Sequence, residues 1–506
     1  MTFPLLTVLA LVPLVGGLAL LFVKGGAGKT FGLAVSLVTL ALGLWAFLDG
    51  GSLAEDHMWI SQIGAHYALG LDGMAKSMVL LTVILVPVVL LAEWNVGEDQ
   101  EALEGRRGWS TSTFFALALV LESLALFVFM ATDALLFYIF FEATLIPMYF
   151  LVGGWGGARR GQAALKFLLY SLAGGLVMLF SIVGLGAKSA ATGTPSFLIS
   201  DLAALNIDGS LGRWLWAGFF IAFAIKAPMV PLHTWLPDTA EQATPGASTL
   251  LVGILDKIGT FGMIRFCLTL FPEASTWATP VVLVLAVISI LYGALMAAGS
   301  KNLFRFVSFT SISHFGFMVM GIFAMTTQSM NGTLFYMLNH GFSTAALFLA
   351  VGYLVKRRGS ADIDSFGGVQ KIAPVAAGMF FIAGLSAMAM PFLSSFVSEF
   401  MVMAGTWSRH PVLAAVSTLG TVLAAVYVLW QYQQTMTGPV TEQAAEHFTD
   451  NDLNLRERAA LVPLIALLLV FGVMPKPMLQ VTENTVKDTM AHVGMTDPAP
   501  VVKGAK

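Results

Sequence analysis

Seven apolar segments of this chain carry an acid, a base or an imidazole near their centres. These are Glu122, Glu142, Lys226, Lys257 with Asp256 beside it, His314, His340 and Glu399. A charged residue at the middle of a membrane helix costs about 2.5–3.5 kcal/mol on insertion scales. One such residue can serve as structural glue. A row of them at one depth suits proton transfer, because each site must take and release a proton and neighbours must tune one another. Lysine fits that role. Burial disfavours its ammonium form, a nearby carboxylate restores it, and moving the carboxylate's influence away frees the proton. Arginine could not do this, because it holds its proton.

The elements that position these groups are membrane spans. Of 506 residues, 57% are hydrophobic and 11% charged. A soluble domain has about a quarter charged. A span needs roughly 20 mostly apolar residues. The pattern predicts an all-α polytopic membrane protein with fourteen transmembrane helices, at about 3–23, 29–48, 74–95, 111–130, 132–153, 163–186, 214–236, 246–271, 278–298, 303–325, 330–355, 374–405, 411–436 and 459–480. Beyond about 481 the tail is polar and short. The first apolar run reads as a span, so no cleavable signal peptide is needed.

Lysine and arginine set orientation. The odd-numbered loops carry fifteen: Lys24, Lys29, Arg106, Arg107, Arg159, Arg160, Lys166, Lys301, Arg305, Lys356, Arg357, Arg358, Lys371, Arg456 and Arg458. The even-numbered loops carry three: Lys188, Arg213 and Arg409. The odd loops are therefore expected to face the cytoplasm, with both termini on the other side of the membrane. The acidic run GEDQEALEGRR, 97–107, reads as a solvated loop on the cytoplasmic face.

Two spans are predicted to break. Pro228 and Pro231 follow Lys226, and Pro391 precedes a serine-rich stretch and Glu399. Proline removes a backbone donor and clashes with the preceding turn. Backbone freed at membrane depth is tolerated only inside protein or beside water. Each break falls in the fourth span of a block of five, spans 4–8 and 9–13, so the second block is expected to be an inverted copy of the first. The expected domains are a three-span segment 1–110, a first repeat 111–271, a second repeat 278–436, and a final span and tail 437–506.

Other chemistries find little support. A net charge of -3 gives no basic signature for nucleic acid. A single cysteine, Cys267, excludes an internal disulfide or a cysteine-rich metal cage. No Gly-rich nucleotide loop stands out.

Several motifs then show a resemblance. FYIFFEATLIPMYFLVGGWG at 137–156, AALKFLLYSLAGGLVML at 163–179, KAPMVPLHTWLPDTAEQATPGAST at 226–249, SFTSISHFGFMVMG at 308–321, NHGFSTAALFL at 339–349 and SSFVSEFMVMAG at 394–405 resemble the subunit M (chain 4) family of NADH-quinone oxidoreductases, respiratory complex I. That family lies within the antiporter-like proton channel superfamily. The resemblance covers about 110–405 by motif and nearly the whole chain by layout. It implies a proton-translocating membrane-arm subunit. Glu142 and Lys226 would form a modulating ion pair, and Lys257 the central relay. His314 and His340 would lie on the connecting axis, and Glu399 would be the terminal carboxylate. It implies no cofactor in this chain. NADH, FMN, iron–sulfur clusters and quinone would sit in partner subunits, among them antiporter-like L and N type subunits. The wording GILDKIGTFG departs from the family, which more often has an apolar residue where Asp256 stands, and TAEQATPGAS suggests a divergent bacterial branch. A multisubunit sodium/proton antiporter shares the same Glu–Lys–Lys machinery and is the alternative. Membrane-bound hydrogenases also use such subunits. A purely structural arm segment fits the midplane row less well.

Overall fold

The computed structural model describes residues 4–23, 26–49, 51, 53–105, 108–448 and 452–499. Lys24, Arg106 and Arg107 of the loop count lie outside the described residues. The chain is a bundle of helices with one β-hairpin. In order the elements are α1 Leu5–Leu20, α2 Gly26–Leu48, β1 Ala54–Ile60, β2 Ala65–Gly70, α3 Gly73–Ala92, α4 Val96–Glu104, α5 Thr111–Met130, α6 Ala134–Ala143, α7 Leu145–Gly154 and α8 Arg160–Ala190. Then come α9 Ile199–Ala204, α10 Gly209–Lys226, α11 Trp235–Gln242, α12 Pro245–Leu250, α13 Lys257–Gly262, α14 Pro272–Ala298, α15 Leu303–Phe323 and α16 Thr327–Arg358. The chain closes with α17 Pro374–Ala387, α18 Ser394–Trp407, α19 Pro411–Met436, α20 Glu442–Phe448, α21 Leu455–Val473 and α22 Lys476–Val493.

Helix occupies each segment the hydropathy pattern picked out. Among the described residues, nine helices are long and apolar enough to cross a membrane, or ten if the bent pair α21–α22 counts as one. The figure falls below fourteen because several predicted segments are short or interrupted. The apolar stretches of α15 and α16 are buried throughout and form the centre of the bundle. α2, α8 and α19 turn apolar side chains such as Trp45, Phe180 and Leu419 outward. Apolar surface on that scale needs lipid or protein to cover it.

Each interruption has a local cause. α6 stops at Ala143, four residues before Pro147, whose ring would meet that carbonyl. Thr144 Oγ1 donates back to Phe141 O at 2.7 Å. α10 stops at Lys226, and residues 227–234 with Pro228 and Pro231 form turns. α17 and α18 are separated by residues 388–393 around Pro391, with Ala389 and Phe392 at φ of 55° and 72°. Non-glycine residues seldom hold that left-handed conformation. Ser386 and Ser395 hydrogen-bond across the gap at 3.0 Å, and Asn339 Nδ2 donates to Ser394 O at 3.2 Å.

The stretch 246–271 differs from its prediction as a plain helix. It alternates α12, a π-turn at Leu251–Leu255, α13 and a second π-turn at Met263–Leu268. Gly259 of α13 lies against the end of α10. A Cβ there would stand 2.5 Å from Ala227 N and 2.6 Å from Phe223 O. Both are backbone atoms, so Gly259→Ala must push the two elements apart. Overpacking of this kind costs about 1–3 kcal/mol. A lower unfolding midpoint in detergent is the expected result, read by a thermal melt of the purified protein.

The chain's end corrects the sequence reading. The span predicted at 459–480 ends at Val473, and residues 481–493 of the polar tail are helix. Pro475 and Pro477 stop α21, and α22 leaves at 73°. α22 buries Met478, Thr482, Val486 and Met490 on one face. Its Thr485 Oγ1 accepts from Gly73 N at 3.0 Å. The hairpin of β1 and β2, which the sequence did not announce, pairs Ala54 with Gly70 and His57 with Tyr67.

The acidic run 97–107 is more than a solvated loop. Glu98 pairs with Lys29 at 2.7 Å, Asp99 with Lys356 at 2.6 Å and Glu104 with Arg160 at 2.5 Å. Exposed pairs add little stability each. They do gather the basic odd-numbered loops at one end of the bundle.

Candidate functional site

Lys226 ends α10 with its side chain 1% exposed. Its Nζ has no hydrogen-bond partner among the described residues. Phe141 and Phe167 flank it, each ring centroid 5.4 Å away. The ring faces offer a cation partial charge without a hydrogen bond. Glu142 sits beside Phe141 at the α6–α7 break. Its Oε1 fills the notch left by Gly175 of α8, where a Cβ would come within 1.6 Å. The two side chains do not touch: neither Glu142 Oε1 nor Lys226 Nζ has a polar partner within bonding reach among the described residues. Their charges interact at longer range.

Lys257 is fully buried at the start of α13. The π-turn before it explains how it is held. Asp256 N–H bonds Leu251 O, five residues back, at 3.0 Å. An α-helix would have used Val252 O instead. That oxygen accepts Lys257 Nζ at 2.7 Å. Lys257 Nζ is also 2.9 Å from His340 Nδ1 and 4.7 Å from the Phe315 ring centroid. When Lys257 is the ammonium, His340 Nδ1 accepts and its Nε2–H can donate to Thr344 Oγ1, 3.1 Å away. When the imidazole holds the proton, Nδ1–H donates to the neutral amine. The same contact serves both states.

His340 and His314 face one another with ring centroids 5.2 Å apart. His314 Nδ1 is 3.0 Å from Tyr336 Oη, and Tyr336 Oη donates to Glu399 Oε2 at 2.9 Å. Glu399 Oε1 accepts from Thr421 Oγ1 at 2.5 Å. His314, Tyr336, His340 and Glu399 are all buried. The structure thus brings Lys257, His340, His314 and Glu399 into one connected set between α13, α15, α16 and α18. Glu142 and Lys226 adjoin it without a direct bond. Glu122, with both carboxylate oxygens unpartnered among the described residues, stands outside it on α5.

Sequence reasoning missed Tyr336 and Thr421. Tyr336 lies four residues before His340 on α16, so the two share a face. That spacing was a usable signal, but tyrosine is a common apolar-face residue and gave no reason to look. His233, in the break after Lys226, is also buried, with Nδ1 unpartnered among the described residues and its ring edge-on to Tyr292.

A charged cleft of about 280 Å³ opens at the end of the bundle where the odd-numbered loops gather. Asp238 accepts from Lys166 at 2.6 Å and Arg305 at 2.8 Å, and Arg305 also reaches Glu241 at 2.9 Å. Burial works to raise the Asp238 carboxyl, but Lys166 and Arg305 outweigh it and hold it below its ordinary value. The cleft ties α8, α11 and α15 together below the broken end of α10.

Residues 131–424 match the family described as NADH:quinone oxidoreductase/Mrp antiporter, transmembrane. Over 99% of its length the chain is 45% identical to NADH-quinone oxidoreductase subunit M of Mycobacterium tuberculosis, covering 96% of that protein. The chain belongs to the subunit M family of NADH-quinone oxidoreductase. Its fold matches a chain of respiratory complex I from Thermus thermophilus with bound NADH, at a TM-score of 0.87 and 31% identity over 97% of this chain and all of that one. A chain of the Mrp complex from Dietzia sp. DQ12-45-1b shares the fold at a TM-score of 0.82 and 20% identity, covering 97% of this chain and 100% of that one. The subunit M relationship thus spans the whole length, α22 and the hairpin included. It is also closer in sequence than the antiporter likeness, which is one of fold alone.

Proposed function

We propose that this subunit M chain moves protons across the bacterial inner membrane as part of the membrane arm of NADH-quinone oxidoreductase, along Glu142, Lys226, Lys257, His340, His314 and Glu399. The observation that carries this reading is the buried contact series from Lys257 to His340, and from His314 through Tyr336 to Glu399 beside the α17–α18 break, with the two imidazole rings 5.2 Å apart between them. Glu142 modulates Lys226 at a distance, Lys257 is the central relay, and Glu399 is the terminal acceptor. From His340 to His314 no hydrogen bond runs directly among the described residues, so a proton crosses there through water or by rotation of an imidazole. NADH, FMN, iron–sulfur clusters and quinone belong to partner subunits, and L and N type antiporter-like subunits are neighbours in the arm. The odd-numbered loops face the cytoplasm and both termini the opposite side. Residues 1–110 form an N-terminal three-span segment, 111–271 and 278–436 two inverted five-helix repeats, and 437–506 the final span with its tail.

The test is purification of the tagged chain from native membranes in mild detergent. Co-purification with NADH-oxidising and quinone-binding subunits, with NADH-quinone reductase activity in the eluate, is the expected result. Recovery with small membrane partners only, together with sodium-dependent proton movement and no redox activity, would favour the sodium/proton antiporter instead.

A further inference from the structure

Asp256 is fully buried, and neither carboxylate oxygen has a hydrogen-bond partner among the described residues. A buried carboxylate left bare costs several kcal/mol unless something compensates it. Lys257 is its chain neighbour, and Lys226 stands on the α10 end against which Gly259 packs. Adjacent helical residues project about 100° apart. Lys257 turns to His340 on α16. Asp256 shares its face with Gly259, three residues on, and that face lies against Ala227 and Phe223 at the end of α10. Lys226 is the last residue of that same end. The close approach that Gly259 permits therefore sets Asp256 between the two lysines. Glu142, by contrast, is drawn off into the Gly175 notch.

We propose that Asp256 is the proton carrier between Lys226 and Lys257, a step that rests on the translocation reading above. Through an intervening water or by side-chain rotation, since the two are not hydrogen-bonded, a proton leaves the Lys226 ammonium for an Asp256 carboxylate oxygen, giving a neutral amine and a carboxylic acid. The Asp256 O–H then passes its proton to the Lys257 amine, restoring the carboxylate and forming the ammonium. One proton moves, no heavy-atom bond changes, and no oxidant or reductant is needed.

The experiment uses the whole complex in inverted membrane vesicles, comparing wild type, Asp256→Asn, Asp256→Glu and Lys257→Ala. Asp256→Asn keeps size and hydrogen-bonding capacity but cannot carry a proton. NADH-driven acidification is expected to slow by about tenfold or more, as for removal of a positioned proton-transfer group, with the chain still co-purifying with the NADH-oxidising subunits. Asp256→Glu is expected to pump. Infrared difference spectra of NADH-energised against resting complex should lose a carboxylic-acid carbonyl band in Asp256→Asn, which a merely structural role would not move. Native pumping by Asp256→Asn alongside a pumping defect in Lys257→Ala overturns the role of Asp256 alone. Native pumping by both overturns the translocation reading. Failure of both Asp256 variants to assemble assigns the residue to folding and also overturns the proposal.

Discussion

Lys257→Ala is expected to stop NADH-driven proton pumping through this chain while the complex still assembles. The side chain is the only amine within bonding reach of His340 among the described residues, at 2.9 Å, so its loss cuts the path between the α10 end and the imidazoles. Two partners are left behind. Val252 O loses the donor it held at 2.7 Å, and His340 Nδ1 loses its neighbour. Stranded polar groups cost about 1–3 kcal/mol. Against that, the variant no longer buries an ammonium, whose desolvation is itself expensive. The balance leaves the fold intact and the relay broken. Protons moved per NADH oxidised, measured on a complex shown to be assembled by co-purification, decide the matter. An assembled variant with native stoichiometry would remove Lys257 from the path.

Tyr336→Phe is expected to separate the two ends of the path in a different way. The ring stays and only the hydroxyl goes, so packing among α15, α16 and α18 is preserved. Tyr336 has one hydroxyl proton and two partners, His314 at 3.0 Å and Glu399 at 2.9 Å. When it donates to Glu399, His314 must donate from Nδ1. A concerted shift then carries a proton from His314 to Glu399 and returns the hydroxyl to its starting composition. Without the hydroxyl, Glu399 keeps only Thr421, and His314 Nδ1 is unpaired within a buried site. Pumping slowed by about tenfold or more is expected, with a stability loss of about 1–3 kcal/mol. The Lys257–His340 contact should survive, so an infrared or NMR signature of the His340 imidazole is expected to match wild type. Unchanged pumping would mean that protons reach Glu399 by another route.

These two residues mark how far the sequence could be read. Lys257 was legible because a lysine in an apolar run is costly wherever the helix points, and its depth follows from residue count at 1.5 Å per residue. The same reasoning placed Glu142, Lys226, His314, His340 and Glu399. It also placed the breaks after Lys226 and around Pro391, since a missing donor breaks a helix whatever lies beside it. Tyr336 has no such cost, because its hydroxyl matters only through the two side chains that other helices bring to it. The break beside Glu142 was missed although Pro147 announced it.

Composition and hydropathy by themselves determined the class of protein, the helical segments, the row of ionisable groups and two of the helix breaks, those after Lys226 and around Pro391. Those are properties of single segments in an apolar medium, and they add along the chain. The tertiary structure decided which groups meet: Lys257 with His340 rather than with its neighbour Asp256, and Glu142 in the Gly175 notch rather than on Lys226. It also decided that Glu98, Asp99 and Glu104 of the acidic run tie basic loops together and that α22 turns away from α21 with one buried face. The physical reason is common to all of these. Sequence gives a side chain's height along its own helix, whereas the direction it faces across the bundle is set by how neighbouring helices pack.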